Sequence, residues 1–192
     1  MVYNPEDKFM AWQRNVIDEF KELTQDEIHT KLSERCNGFS VLMTHVEGDF
    51  NIGTVMRSAN FFGAKEFFYW GRKRFDKRST VGVHHYTTVK FLDDIENIRS
   101  LKEKYTLVAL ENNVSNPMSL SRFDWQTPLP PCIIVGEECN GIPQEVLALC
   151  DHIVEIPNFG SVRSINVGSA ASLAMYDYLS KVRLGTSVPT AL

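Results

Sequence analysis

The feature that most constrains this chain is an alternation of short apolar, β-prone runs with stretches of helical period. The apolar runs are FSVLMTHV at 39–46, EFFYWG at 66–71, TTVKFL at 87–92, YTLVAL at 105–110, PCIIVG at 131–136 and HIVEIP at 152–157. Between them, helical patterns fall at about Ile52–Phe62, Asp93–Lys104 and Pro143–Leu149, with a last one from Ser164 to Arg183. Strands that alternate with helices predict an α/β fold with a mostly parallel sheet flanked by helices, because parallel strands need crossovers that cover both faces. Cys132–Val135 and Leu107–Leu110 are apolar without alternation and suit central strands buried on both sides. Ligands in such sheets sit beyond the carboxyl ends of the strands, so the loops opening near Leu110, Gly136 and Ile156 come under inspection.

Ahead of this alternation, Phe9, Trp12, Val16, Phe20 and Leu23 recur at helical spacing and predict one helical stretch from Pro5 to about Arg35, stopped by Asn37-Gly38. The expected organisation is a helical extension at 1–38, an α/β domain at 39–184 and a loose tail at 185–192. At 192 residues the chain is long enough for one domain with its own core. With 20 Lys and Arg against 24 Asp and Glu, the net charge of −4 gives no global attraction for a polyanion, so any nucleic-acid contact must be a local patch. The four cysteines form no C-x-x-C pair, and His84-His85, read as extended, point to opposite faces; no metal site is expected. No apolar run approaches the roughly 18–20 residues of a membrane span, and no secretory pattern opens the chain, which leads us to expect a cytoplasmic protein.

The motifs that would signal a P-loop, a nucleophile elbow or a Rossmann dinucleotide site are absent. Four other segments carry chemistry. In NIGTVMRSANFFGA at 51–64, Asn51, Gly53 and Arg57 follow a strand and open a helix; they serve either as a polar helix entrance or as an arginine placed for phosphate or ribose. In the second, Gly136, Glu138 and Gly141 make a sharp strand-to-helix turn, and a carboxylate at the end of a buried strand is costly unless paired. In the third, Ile156-Pro157 and a loop containing Gly160 lead through Ser164 and Asn166 into an Ala-rich helix; these polar residues suit capping or a polar ligand. The fourth, RKRFDKR at 72–78, is either a solvated loop or a phosphate-contacting patch of Arg72, Lys73, Arg74, Lys77 and Arg78, with Phe75 free to stack on a base.

Taken in order, N-x-G-x-x-x-R, G-x-E-x-x-G and I-P-x-x-G-x-x-x-S-x-N-V, the sequence resembles the SpoU/TrmH family of RNA ribose 2′-O-methyltransferases over roughly residues 39–183. The resemblance implies a C-terminal deep trefoil knot, S-adenosylmethionine as methyl donor, a homodimer with its active site at the subunit interface, and RNA as partner. It places the donor against Leu110, Gly136, Ile156, Ser164 and Ile165. It also implies that Arg57, Glu138, Ser164 and Asn166 shape or perform the reaction, with Asn51 supporting Arg57. Two departures stand out: Asn158 where the family commonly has Met after Ile-Pro, and Glu137 as an extra acid. The acidic residues of the N-terminal stretch favour packing over RNA contact, and there is no room before residue 39 for a separate RNA-binding domain, so tRNA is the expected substrate. Ribosomal RNA, a non-catalytic RNA-binding role, methylation of a nucleobase and a nucleotide-dependent oxidoreductase are the other readings.

Overall fold

The computed structural model describes residues 16–44, 49–137 and 140–185. Expectations for residues 5–15, the end of the first apolar run, Glu138 and the tail beyond Gly185 lie outside these. Seven strands form one sheet: β1 (Ser40–Met43), β2 (Phe67–Trp70), β3 (Val89–Leu92), β4 (Thr106–Leu110), β5 (Met118–Ser119), β6 (Pro131–Val135) and β7 (His152–Glu155). Their spatial order is β3-β2-β1-β6-β4-β7-β5, and every pairing is parallel. β1, β4 and β6 at the centre are apolar on both sides and almost wholly buried, as continuous rather than alternating hydrophobicity requires. The two-residue edge strand β5 has too little pattern to be seen in the sequence.

Among the described residues five α-helices accompany the sheet: α1 (Gln25–Glu34), α2 (Asp49–Phe61), α3 (Ile95–Ser100), α4 (Gln144–Leu147) and α5 (Val167–Val182). On one face Val41, Met43, Phe67, Ile133 and Val135 pack against Ile52, Val55 and Met56 of α2 and Ala171, Ala174 and Met175 of α5. On the other, Leu42, Phe68, Leu107, Ala109 and Ile134 pack against Ile98 of α3 and Val146 of α4. Gly168 lets α5 lie close on α2, since a Cβ there would come within 2.5 Å of Thr54 Cγ2. Ser172 Oγ bonds to Ser58 Oγ at 2.8 Å across the same contact.

The N-terminal stretch departs from expectation. A 3-10 turn at Asp18–Phe20 is followed by a break, and α1 starts only after Thr24. Thr24 closes a capping box: its backbone N–H donates to Glu27 at 2.8 Å and its hydroxyl accepts from the Glu27 N–H at 3.3 Å. This local pairing satisfies two helix-end donors and outcompetes the periodicity that suggested continuity. α1 buries Ile28, and its His29 Nε2 lies 2.9 Å from Thr88 Oγ1. Past α1, Gly38 takes φ +80 and Asn37 Nδ2 donates to the Phe62 carbonyl at 2.9 Å. The extension is thereby docked on the α2–β2 connection.

Candidate active site

The loops after β4, β6 and β7 converge on one cleft of about 600 Å³ at the carboxyl end of the sheet. Leu110, Gly136, Ile156, Ser164 and Ile165, far apart in sequence, all line it. Gly136 is there for lack of space: a Cβ would stand 2.1 Å from the Gly141 carbonyl carbon. Gly141 itself sits at φ +64, the left-handed region that glycine occupies without steric cost. Helix α5 begins at Val167 rather than Ser164, which leaves Ser164 and Ile165 in the exposed loop that walls the cleft.

Asn166 is the N-cap that stops the helix from starting earlier: its Oδ1 accepts from Gly168 N–H at 2.8 Å and Ser169 N–H at 3.4 Å. Its Nδ2 donates to Asn51 Oδ1 at 3.0 Å. The structure thus joins the first motif to the third through two amides. Asn158, a departure from the family pattern, has a local role: its Oδ1 accepts from Gly160 N–H at 2.8 Å and its Nδ2 donates to the Val162 carbonyl at 2.5 Å. The tight loop so closed leaves Phe159 97% exposed at the cleft edge. Glu137 accepts from the backbone and side-chain amides of Asn140, which folds the second motif back on itself. Glu138 lies outside the described residues.

A residue that the motifs pass over organises this cleft. Glu111, just beyond β4, accepts from Asn112 N–H and Asn113 N–H at 3.0 Å through Oε1, and from Ile142 N–H at 2.9 Å through Oε2. One carboxylate therefore ties the β4 loop to the β6 loop on two sides of the same cleft. Asn112 extends the tie, donating from Nδ2 to the Arg163 carbonyl at 2.8 Å in the third loop. A signal for Glu111 did exist: it is a carboxylate at the end of a buried strand, the same reasoning that picks out Glu138.

Arg57 does not line this cleft. It stands on the exposed side of α2, with no hydrogen bond or ion pair to any described residue, in a row with Phe50, Thr54 and Phe61 at steps of four, three and four. Phe50 and Phe61 are 84% and 83% exposed. Beside them Phe62, Leu173 and Tyr176 line a shallow apolar depression between α2 and α5.

The basic loop is only partly as expected. Arg72, Lys73, Arg74 and Lys77 are exposed. Arg78, however, is engaged by Asp76 at 2.5 Å; this hydrogen-bonded pairing raises the arginine's pKa and lowers the carboxyl's. Phe75 is not free to stack: it packs edge-on against Tyr69, with ring centroids 5.4 Å apart, as part of the core margin. Gly53 fixes where the loop lies, because a Cβ there would meet the Ser79 backbone at 2.4 Å. His84 and His85 are helical rather than extended, in a 3-10 turn at Val83–His85, and their rings stack at 4.0 Å instead of diverging. Among the described residues no group of three or more His, Cys, Asp or Glu side chains is gathered to hold a metal.

Comparison with known proteins agrees with this architecture. The tRNA (guanosine(18)-2′-O)-methyltransferase of Escherichia coli K12 is 29% identical over 150 residues, which cover 76% of this chain and 65% of that protein. The chain thus spans about two thirds of the length of that curated relative. The A. aeolicus TrmH/SpoU tRNA modifying enzyme superposes with a TM-score of 0.70 at 19% identity, covering 82% of this chain and 83% of that one. The SpoU methyltransferase AviRb from Streptomyces viridochromogenes, solved with the cofactor AdoMet, gives 0.64 at 24% identity over 74% and 57% of the two chains. Residues 38–176 match the model of the SpoU rRNA Methylase family. That match spans the cleft, the helix that carries Arg57 and most of α5, so the chain belongs to the SpoU rRNA Methylase family.

Proposed function

We propose that the protein transfers a methyl group from S-adenosylmethionine to a ribose 2′-hydroxyl of tRNA. The observation that carries this reading is the cleft at the carboxyl end of the sheet: all five positions expected to hold the donor line it, and its volume suits a nucleoside-sized ligand. The residues fit that ligand. Leu110, Ile156 and Ile165 offer apolar surface for an adenine, the turns at Gly136 and Gly141 bring the backbone to the cleft wall, and Glu111, Glu137 and Glu155 set negative charge around a cationic sulfonium. The name of the Escherichia coli relative supports tRNA as the substrate class.

The donor supplies an electrophilic methyl group: the O–CH₃ bond forms as the S–CH₃ bond breaks, the sulfonium becomes a neutral thioether, and the hydroxyl proton leaves to water or an RNA phosphate. The chain's own contribution is placement and charge. Asn166, locked by Asn51 and by two helix N–H groups, holds the loop carrying Ser164. Arg57 clamps an RNA phosphate and stabilises the charge that develops on the ribose oxygen. Since Arg57 lies away from its own cleft, it serves the cleft of a second copy. The exposed apolar row of Phe50 and Phe61, next to Leu173 and Tyr176, supports a homodimer through α2 and α5. Passage of the Arg163 loop against Asn112 is in keeping with a knotted C-terminal portion.

The test is methyl transfer from labelled S-adenosylmethionine into unmodified tRNA and, separately, ribosomal RNA, followed by nucleoside digestion. A 2′-O-methylated nucleoside from tRNA is the expected product. Label on a base, or in ribosomal RNA alone, would overturn the assignment of acceptor or substrate.

A further inference from the structure

We propose that the exposed imidazole of His85, laid on the ring of His84 beside Lys77, is a stacking platform for an unpaired nucleobase of the RNA substrate. The proposal rests on the RNA-methyltransferase reading and goes beyond the phosphate-contacting patch expected from the sequence, because it adds a base contact to that set of expected phosphate contacts. Its geometry starts at an unusual turn. Val81, β-branched and 53% exposed, is held at φ 50 and ψ 39, and Gly82 follows at φ 84. A β-branched residue in the left-handed region is strained, and such strain persists only where the surroundings impose it. Here it reverses the chain, so that the 3-10 turn at Val83–His85 folds back on the one at Lys77–Thr80.

One ring of the pair is fixed and the other presented. His84 is half-buried; the Thr80 hydroxyl donates to the Lys77 carbonyl at 2.7 Å and so accepts from His84 Nδ1–H at 2.5 Å. Burial first, then the neighbouring His85 and Lys77, push the pKa of His84 down to about 4, so the lower ring is neutral at physiological pH. His85 leans on it with centroids 4.0 Å apart and the ring planes tilted by 37°, and is itself exposed. A fixed aromatic base under an exposed ring suits stacking, which any nucleobase can accept through its π-face.

The platform also lies where RNA is expected. Ser79 abuts Gly53 near the start of α2, and Asn60 Nδ2 donates to Thr87 Oγ1 at 3.1 Å near its end. The whole segment therefore runs along one flank of α2. Gly53, Arg57 and Asn60 are spaced by four and three, which puts Arg57 next to that flank. Exposed Lys77 and Arg57 would hold phosphates on either side of a base lying on His85.

The experiment measures binding of the full chain to unmodified tRNA, at pH 8 and again at pH 6, for wild type, His85→Ala, His85→Phe and Lys77→Ala. Stacking predicts that His85→Ala weakens affinity by about fivefold to tenfold with an unchanged salt slope. His85→Phe should keep wild-type affinity, whereas Lys77→Ala should lower the salt slope by about one. Affinity unaltered in His85→Ala would overturn the platform and leave the methyltransferase reading standing. A loss shared by His85→Phe and His85→Ala that appears only below pH 6.5 would also overturn it, in favour of an imidazolium–phosphate contact. Wild type that binds no RNA would overturn both.

Discussion

The cleft at the carboxyl end of the sheet and the flank of α2 that carries Arg57 solve opposite problems. In the cleft the polar side chains are spent on the protein itself: Glu111 on three backbone amides, Asn166 on a helix start and on Asn51, Asn158 on its own loop. Shape, backbone and apolar surface remain for a ligand, together with polar side chains such as Glu155 and Ser164 on the cleft wall. On the flank, Arg57, Arg72, Arg74 and Lys77 stand exposed over a framework fixed by Gly53 and Asn60. On the function proposed above, recognition there is by exposed charge, which suits a polyanion and is sensitive to salt. A hydrogen bond between Asn51 of α2 and Asn166 at the cleft joins the two regions.

The division can be broken most severely at Arg57. Arg57→Ala should lower turnover by about a thousandfold, the scale for loss of a charge-stabilising donor, while donor affinity measured by calorimetry stays at wild type. Loss of donor binding instead would place the arginine in the cleft. Gly136→Ala should do the reverse: a Cβ 2.1 Å from the Gly141 backbone has to open the turn, at a cost of about 1–3 kcal/mol and with collapse of donor binding. Its RNA affinity should persist.

Glu111 sharpens the comparison. Glu111→Ala leaves three amides unpaired and should weaken donor binding by about 1–3 kcal/mol, read as a raised KM for the donor with kcat little changed. Glu111→Gln, which keeps the shape and one acceptor, should recover part of that affinity. Smaller still is neutralisation of Arg72, Lys73 and Arg74. RNA binding should fall about tenfold or less, and the salt dependence should flatten by about one for each phosphate left without its cation.

The smallest functional effect belongs to Glu66, remote from both regions, whose carboxylate takes the Tyr105 hydroxyl and the Lys90 ammonium. Burial alone would raise its pKa, but these two partners outweigh it and hold the group below the usual carboxylate range. Its stabilisation is therefore present above that range and lost as pH falls through the depressed value. Glu66→Gln should cost about 1–2 kcal/mol in denaturant melts at pH 7, converge with wild type in acid, and leave turnover at saturating substrate unchanged.

Local pattern was sufficient where the structure is locally determined. Central strands such as Cys132–Val135 are legible because burial on both faces removes alternation, whereas the start of α5, expected at Ser164, falls at Val167 because Asn166 rather than Ser164 caps the helix. Errors arose where a neighbour competes. The spacing of Phe20 and Leu23 fits a helix, yet the Thr24–Glu27 box restarts the chain there. Phe75, expected to be free to stack, packs against Tyr69, and Arg78 is paired with Asp76 while remaining exposed. Glu111 carries no motif spacing, and its worth comes from Gly141 and Ile142, thirty residues away. The close approach of Gly53 to Ser79 and of Gly136 to Gly141 turns motif glycines into packing requirements, which spacing alone does not reveal.

The central claim is that a cleft on one copy and Arg57 on another make one active site. Two inactive variants, Arg57→Ala and Gly136→Ala, should therefore be mixed, allowed to exchange subunits, and assayed for methyl transfer into tRNA. The account predicts recovery of about a quarter of wild-type activity, because half the dimers are mixed and each mixed dimer holds one intact pair of cleft and arginine. A mixture as inactive as its parents, with exchange verified by differently tagged subunits, would contradict it.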